Sequence, residues 1–338
     1  MPIRTSLILT LTLFSAAVFA DLQYEQTTRA SGGSLVNMPI IGSRLKEPHT
    51  TSNYIKGNKM AMVSKDQTTI YDLDAGNVTT INPGKKTYSV MTFEEMRAAM
   101  EESMKKMRDM QQQSKNQEGT MNWSVKVKDA GDEKNINGWD AHHFVITLGA
   151  DATDTKSSQN AGMKMSIDSW NAKDLPGTKE QRAFFRKFSE KIGAGFATGI
   201  NPFVRAQMGS GWEAAAKEMA KMEGFAVTSI MKMSATANGQ EVMVPESEQN
   251  RKGPSVGEMA KDSVAGAMLG RLGGFGGGKK KKSDDPPPAG NPNQKMVPAT
   301  LMEMTTELVT YTTNPVDSSV FVIPAGFKQV EADMKRVR

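Results

Sequence analysis

The sequence predicts an α+β protein in which amphipathic helices pack against an antiparallel sheet. Residues 22–91 hold short segments of β-branched and aromatic residues, separated by turn signals about every ten residues, which is the pattern of an antiparallel meander. Single apolar residues alternate with polar ones in these segments, so we expect one face of the sheet to contact water. Helix-start signals occur at three later places, and strand patterns return between and after them.

The strand segments are bounded by Gly, Asn and Pro, residues that favour turns. Two Asn-Gly pairs, Asn137-Gly138 and Asn238-Gly239, predict two-residue hairpin turns. In chain order, the predicted strands are Tyr54–Lys56, Lys59–Ser64, Thr68–Leu73, Val78–Ile81, Thr87–Met91, Asn122–Lys128, Ala141–Leu148, Met163–Trp170, Phe225–Ala235, Gln240–Val244, Leu301–Thr312 and Val320–Ile323.

Each predicted helix begins at a capping box, in which a Ser or Thr N-cap is followed three residues later by Glu or Gln. Thr92–Glu95 starts a helix that runs to about Gln113, Thr178–Gln181 starts a second, and Ser210–Glu213 starts a third. Each helix concentrates its apolar residues on one side, which predicts packing against the sheet. These sides supply the candidate ligand-binding residues, which are Met96, Met100, Met104, Met107, Phe184, Phe185, Phe188, Trp212 and Met219.

Four segments divide the chain. Residues 1–20 carry Arg4, a short apolar run and small residues before Asp21, the pattern of a secretory signal peptide. Residues 21–252 form the α+β domain, and residues 253–295, rich in Gly, Lys and Pro, form a disordered linker. Residues 296–331 supply final strands that complete the same domain. We therefore expect a periplasmic or secreted protein, and a monomer.

The net charge of +5 comes largely from the linker. Residues 256–295 hold seven positive and four negative side chains, so the folded part has no strongly basic composition. A nucleic-acid-binding fold needs a clustered basic surface, and we predict no such partner. The linker's basic run, which consists of Lys279, Lys280, Lys281 and Lys282, is predicted to be a solvated tether, with weak contact to an anionic membrane surface as the alternative.

The sequence carries no motif of a known catalytic or cofactor site. It has no cysteine, which excludes thiolate nucleophiles and cysteine-ligated metals, and it has no P-loop, GxSxG, HExxH or EF-hand pattern. His142 and His143 are neighbours in a predicted strand, so their side chains point to opposite faces and do not share a metal ion. We predict a protein that is not an enzyme and has no cofactor, and we assign no metal-ligating residue.

Methionine is abundant, with 25 residues among 338, and several occur as i,i+2 pairs that share one face of a strand. Three interpretations stay open. Thioethers bind soft metals such as Cu(I), methionine is a flexible filler of apolar cores, and methionine-rich surfaces adapt to variable apolar ligands.

Three early segments resemble the opening of the bacterial periplasmic lipoprotein-carrier superfamily: Tyr54–Met60, Ile70–Leu73 and Ile81–Tyr88. The segments Ile136–Ile146, Ser169–Ile192 and Phe321–Glu331 are similar to an uncharacterised exported bacterial family within that superfamily. The resemblance implies a strongly curved antiparallel sheet, an incomplete barrel, with helices on its concave side. It also implies a ligand space between sheet and helices.

The residues and the resemblance together lead to one main hypothesis: a non-enzymatic periplasmic binding protein for an apolar or acylated ligand, either a lipid or a lipoprotein acyl chain. Two alternatives remain: a methionine-rich envelope protein that handles metal, and a structural or interaction protein with a filled core.

Overall fold

The computed structural model describes residues 21–37, 41–113, 119–154, 160–192, 216–219, 221–246 and 295–332. The predictions for the signal segment, for the start of the third helix and for nearly all of the linker concern residues outside this set.

The described strands are β1 (Leu22–Gly32), β2 (His49–Lys56), β3 (Lys59–Ser64), β4 (Thr68–Asp72), β5 (Asn77–Asn82), β6 (Thr87–Thr92), β7 (Gly119–Ile136), β8 (Trp139–Asp154), β9 (Asn160–Ala172), β10 (Phe225–Ala237), β11 (Gln240–Glu241), β12 (Met243–Pro245), β13 (Met296–Pro298), β14 (Thr300–Thr312) and β15 (Lys328–Gln329). The α-helices are α1 (Ile41–Lys46), α2 (Phe93–Gln113) and α3 (Thr178–Ile192).

Strands dominate the described residues, and most of them join one large open sheet. Its order is β15-β6-β5-β4-β3-β2-β1-β14-β10-β9-β8-β7, and β11 pairs with β10. A separate two-stranded ladder joins β12 to β13. β14 therefore lies in the middle of the sheet, between β1 and β10, although a long segment of sequence separates it from β10.

The predicted antiparallel pairing is wrong for one pair, because β15 lies parallel to β6. The segment before β15 crosses one face of the meander, where Phe321 and Phe327 pack against β3, β4 and β5. The strand predicted at Val320–Ile323 is also wrong. The Asp317 carboxylate accepts a hydrogen bond from the Ser319 N–H and caps a short 3₁₀ helix at Ser318–Phe321 instead.

Local signals account for the turns and for the start of α2. Asn137 and Gly138 have φ of 52° and 89°, and Asn238 and Gly239 have φ of 50° and 75°, as the two-residue hairpin turns require. The capping box at α2 is confirmed: the Glu95 N–H donates to Thr92 Oγ1 at 3.1 Å, and the Thr92 N–H donates to Glu95 Oε2 at 2.9 Å.

The second predicted capping box does not form. Thr178 lies inside the first turn of α3, where its hydroxyl donates to the Leu175 carbonyl at 2.6 Å. The Gln181 N–H bonds to the Gly177 carbonyl, and the Gln181 side chain donates to the Tyr24 hydroxyl at 3.3 Å. A tertiary contact with β1 thus replaces the local bond.

The meander is covered on both faces. Neighbouring residues of a strand point to opposite faces, and along β3 Met60 belongs to the core shared with the helices, whereas Ala61 belongs to a second cluster. Phe93 of α2 and Phe184 of α3 are buried in the first core. The second cluster is completed by Phe321, Ile323 and Phe327 of the C-terminal segment. No described helix combines the length and the apolar character needed to span a membrane.

Candidate functional site

Six methionines meet on one face of the sheet where β9, β10 and β14 lie side by side. Met165 pairs with Met233, which pairs with Met302. In the adjacent row, Ile167 pairs with Met231, which pairs with Met304. Cross-strand partners share a face of a sheet, as do residues two apart within a regular strand. We call this surface the methionine face; its members are Met163, Met165, Met231, Met233, Met302 and Met304.

The methionine face continues into an aliphatic surface on β8 and β7. Leu148 pairs with Met165, and Val125 of β7 pairs with Leu148. Around Val125 the aliphatic residues form a small core with Ala216 and Met219, which lie in a short helical turn. The apolar surface therefore spans five adjacent strands and is covered by this turn near its β7 end.

The opposite face of the same strands is polar. Lys232 alternates with Met231 and Met233, and its ammonium group lies 3.1 Å from the Glu303 carboxylate on β14. The Lys164 ammonium group likewise lies 3.4 Å from the Glu241 carboxylate on β11. The expectation of one water-facing surface was made for the strands of residues 22–91 and is wrong there, because both faces of that meander are covered. All six members of the methionine face are partly buried, so each leaves some surface exposed.

The core shared with α2 and α3, which we call the helix-side core, includes Leu22 and Tyr24 of β1. The strands that link this core to the methionine face contain register shifts, one where β1 pairs with β14 and one where β10 pairs with β9.

The structure divides the predicted ligand-binding residues into several groups. Phe184, Phe188 and Met96 contribute to the helix-side core, whereas Phe185 is 38% exposed. Met100 is partly buried on α2. Met219 packs at the β7 end of the apolar surface. Met104 and Met107 belong to α2, but their side chains, like the whole of Trp212, lie outside the described residues.

The space between the sheet and the helices is closely filled at α3. Phe184 is 2% exposed, and the Tyr71 and Phe93 rings pack edge-on to Phe188 with centroids 5.1 Å and 5.6 Å away. The more open apolar surface is the methionine face. Sequence patterns showed its i,i+2 pairs but not their grouping, since the grouping depends on which strands are neighbours.

The two adjacent histidines stabilise a bulge in β7. The register shifts between Asp129 and Glu133, and His142 Nε2 lies 2.6 Å from Asp129 Oδ1. His143 lies 3.2 Å from both Asp132 and Asp168, one at each ring nitrogen.

The hydrogen bond from His142, with a second from the Gly131 N–H, lowers the pKa of Asp129 below its ordinary value. The carboxylates at His143 approach different ring nitrogens, so they do not converge on one point. Among the described residues, no group of three or more His, Asp or Glu side chains is placed to hold a metal ion. The geometry is that of hydrogen bonds between side chains of neighbouring strands.

Comparison with known proteins adds no further assignment to these surfaces. No protein-family model matches the chain, and no curated protein matches its sequence. The methionine face is the candidate site.

Proposed function

We propose that this chain is a non-enzymatic binding protein for an apolar or acylated ligand, a lipid or a lipoprotein acyl chain, in the periplasm or outside the cell. The observation that carries the proposal is the methionine face, where six partly exposed thioether side chains occupy neighbouring positions. Exposed contiguous apolar surfaces mark sites of interaction.

The dimensions of the apolar surface support an acyl chain as the ligand. Strands in a sheet are about 4.8 Å apart, so the three steps from β8 to β14, beside the covered β7 end, span about 14 Å. One leaflet of a bilayer, half of a hydrocarbon core about 30 Å thick, holds acyl chains about 15 Å long. A single chain lying across the strands therefore matches the surface in length.

The energetics favour the same class of ligand. Each methylene removed from water contributes about 0.8 kcal/mol, so a chain with half a dozen buried methylenes gains about 5 kcal/mol before the cost of association. Methionine is unbranched and has three rotatable bonds, so the face can adapt to chains of different shape.

The proposal includes the finer features that the resemblance to lipoprotein carriers implies. In it, the open sheet curves as an incomplete barrel with the helices on the concave side, and the methionine face lines the space between them. The short helical turn that carries Ala216 and Met219 packs on the aliphatic end of this surface, and this contact supports the arrangement.

A fluorescent fatty acid, cis-parinaric acid, tests the proposal on the full mature chain. The wild type should bind it, and Met233→Gln should bind about tenfold more weakly, because a loss of about 1.4 kcal/mol of apolar contact corresponds to that factor. Met243→Gln is the matched control, since Met243 is 47% exposed and lies on β12, outside the methionine face. Absence of binding by the wild type, or equal weakening by both variants, would contradict the proposal.

Extraction of the protein from its own envelope identifies the natural ligand. The protein is purified without detergent, extracted with organic solvent and analysed by mass spectrometry. We expect lipid or acyl species in about one-to-one ratio with the chain, and their absence from a sample of the Met233→Gln variant. An extract free of such species from both samples would favour a filled structural core.

A further inference from the structure

Four members of the methionine face form a compact group that we call the methionine square: Met231, Met233, Met302 and Met304. Met231 lies directly opposite Met304, and Met233 lies directly opposite Met302. Side chains directly opposite in an antiparallel pair have Cβ atoms about 5 Å apart, and diagonal neighbours are about 7 Å apart. Flexible side chains at these spacings can bring three or four sulfur atoms to one point.

Hydrophobicity alone does not account for this group. On the same surface, β7 and β8 carry branched aliphatic residues such as Val125, Val127 and Leu148. Branched residues suit strands better than methionine does. The surface therefore changes from aliphatic to thioether side chains across β9, between β8 and β10, and the property that distinguishes the two is the sulfur atom.

A group of neutral thioethers selects a soft, low-charge cation. Thioether and thiolate ligands favour Cu(I), whereas carboxylates and carbonyls favour hard cations. The chain has no cysteine. The charged pair closest in sequence, Lys232 and Glu303, alternates with the square and points to the opposite face. A site without ligand charge suits a monovalent ion rather than a divalent one.

We propose that the methionine square binds one Cu(I) ion through three or four thioether sulfurs. Partial exposure of all four residues leaves a route for the ion to enter and to leave. Thioethers carry no proton at any pH at which the protein folds. Binding therefore does not compete with protons, unlike binding at histidine or carboxylate sites.

The test is a competition between the full mature chain and the Cu(I) chelator bathocuproine disulfonate, with Cu(I) kept reduced by ascorbate. We expect one Cu(I) per chain, with an affinity that is unchanged between about pH 5 and about pH 7. Replacing all four residues by Leu should weaken binding at least a hundredfold. Met243→Leu/Met296→Leu is the matched control, because these residues are 47% and 48% exposed in β12 and β13, away from the square.

Failure of this proposal is distinguishable from failure of the proposed function. Leucine keeps the surface apolar, so the four-fold leucine variant should still bind cis-parinaric acid while it loses Cu(I). The single variants Met233→Leu and Met302→Leu provide the readout if the four-fold variant does not fold, and each should weaken Cu(I) binding about tenfold. A wild type that does not compete for Cu(I), or leucine variants that bind it as the wild type does, would overturn the proposal.

Discussion

Two neighbouring phenylalanines in α3 provide a sharp test of the fold, because they have the same chemistry but different surroundings. Phe184 is 2% exposed and belongs to the helix-side core, whereas Phe185 is 38% exposed. Their rings touch edge to face with centroids 5.7 Å apart. Truncation of each to alanine therefore compares a buried with a largely superficial ring at adjacent positions of one helix.

The expected magnitudes follow from burial. Removal of the Phe184 ring loses about 2–3 kcal/mol of transfer free energy. It also leaves a cavity beside Phe188, so the total should be about 3–5 kcal/mol of unfolding free energy. Phe185→Ala loses a smaller contact and gains about 0.5 kcal/mol of helix propensity, so its net cost should be about 1 kcal/mol or less.

Urea denaturation followed by far-ultraviolet circular dichroism measures both variants. With a slope of about 2–3 kcal/mol per molar urea, Phe184→Ala should lower the midpoint by about 1 M or more, and Phe185→Ala by less than about 0.5 M. Phe184→Leu, a smaller truncation, keeps the comparison measurable if the alanine variant does not fold. Equal midpoints for the two alanine variants would refute the packing of α3 described above.

Three further predictions follow from other contacts. Met96, which packs against the helix-side core, should not tolerate a charge: Met96→Asp should cost about 2 kcal/mol or more, whereas exposed Glu101→Gln should change the melting temperature little, and equal effects would contradict the packing. The hydrogen bond from His142 lowers the pKa of Asp129 in the folded protein, so the ionised Asp129 carboxylate stabilises the fold. This stabilisation is fully present above the ordinary carboxyl pKa of 3.8 and is lost as pH falls through the lower pKa of the folded state. Asp129→Asn should therefore melt below the wild type near pH 6, with a difference that shrinks towards about pH 2, and a constant difference would contradict this linkage. A protease site engineered in place of Lys279–Lys282 should yield two pieces that co-elute in gel filtration after cleavage, because β14 lies between β1 and β10; separate elution would show that this pairing does not hold the pieces together.

Much of the secondary structure was predictable because its signals are local. The Thr92–Glu95 box and the two Asn-Gly pairs act through bonds and backbone angles within four residues, and the structure confirms them. The box predicted at Thr178 failed because Gln181 is close enough to bond the hydroxyl of Tyr24. Val320–Ile323 has the residues of a strand, but Asp317 starts a 3₁₀ helix there. In both cases a side-chain hydrogen bond, which the spacing of apolar residues does not reveal, determined the local structure.

The candidate site was predictable only in part. The sequence shows that Met231/Met233 and Met302/Met304 share faces within their own strands, because alternation is a property of any strand. It does not show that β14 pairs with β10, since more than fifty residues separate the two strands, nor in which register they pair. A shift of one residue would send one pair of methionines to the polar face and abolish the square.

Composition and local pattern therefore determined that this chain forms strands and amphipathic helices, where its turns lie and which residues are apolar. These properties depend on backbone preferences and on contacts within a few residues. Only the tertiary structure decided the order of the strands, the parallel arrival of β15, the burial of Phe184 against the exposure of Phe185, and the meeting of six methionines on one face. Those outcomes depend on which distant segments pair and in which register, a choice made by the packing of the whole sheet.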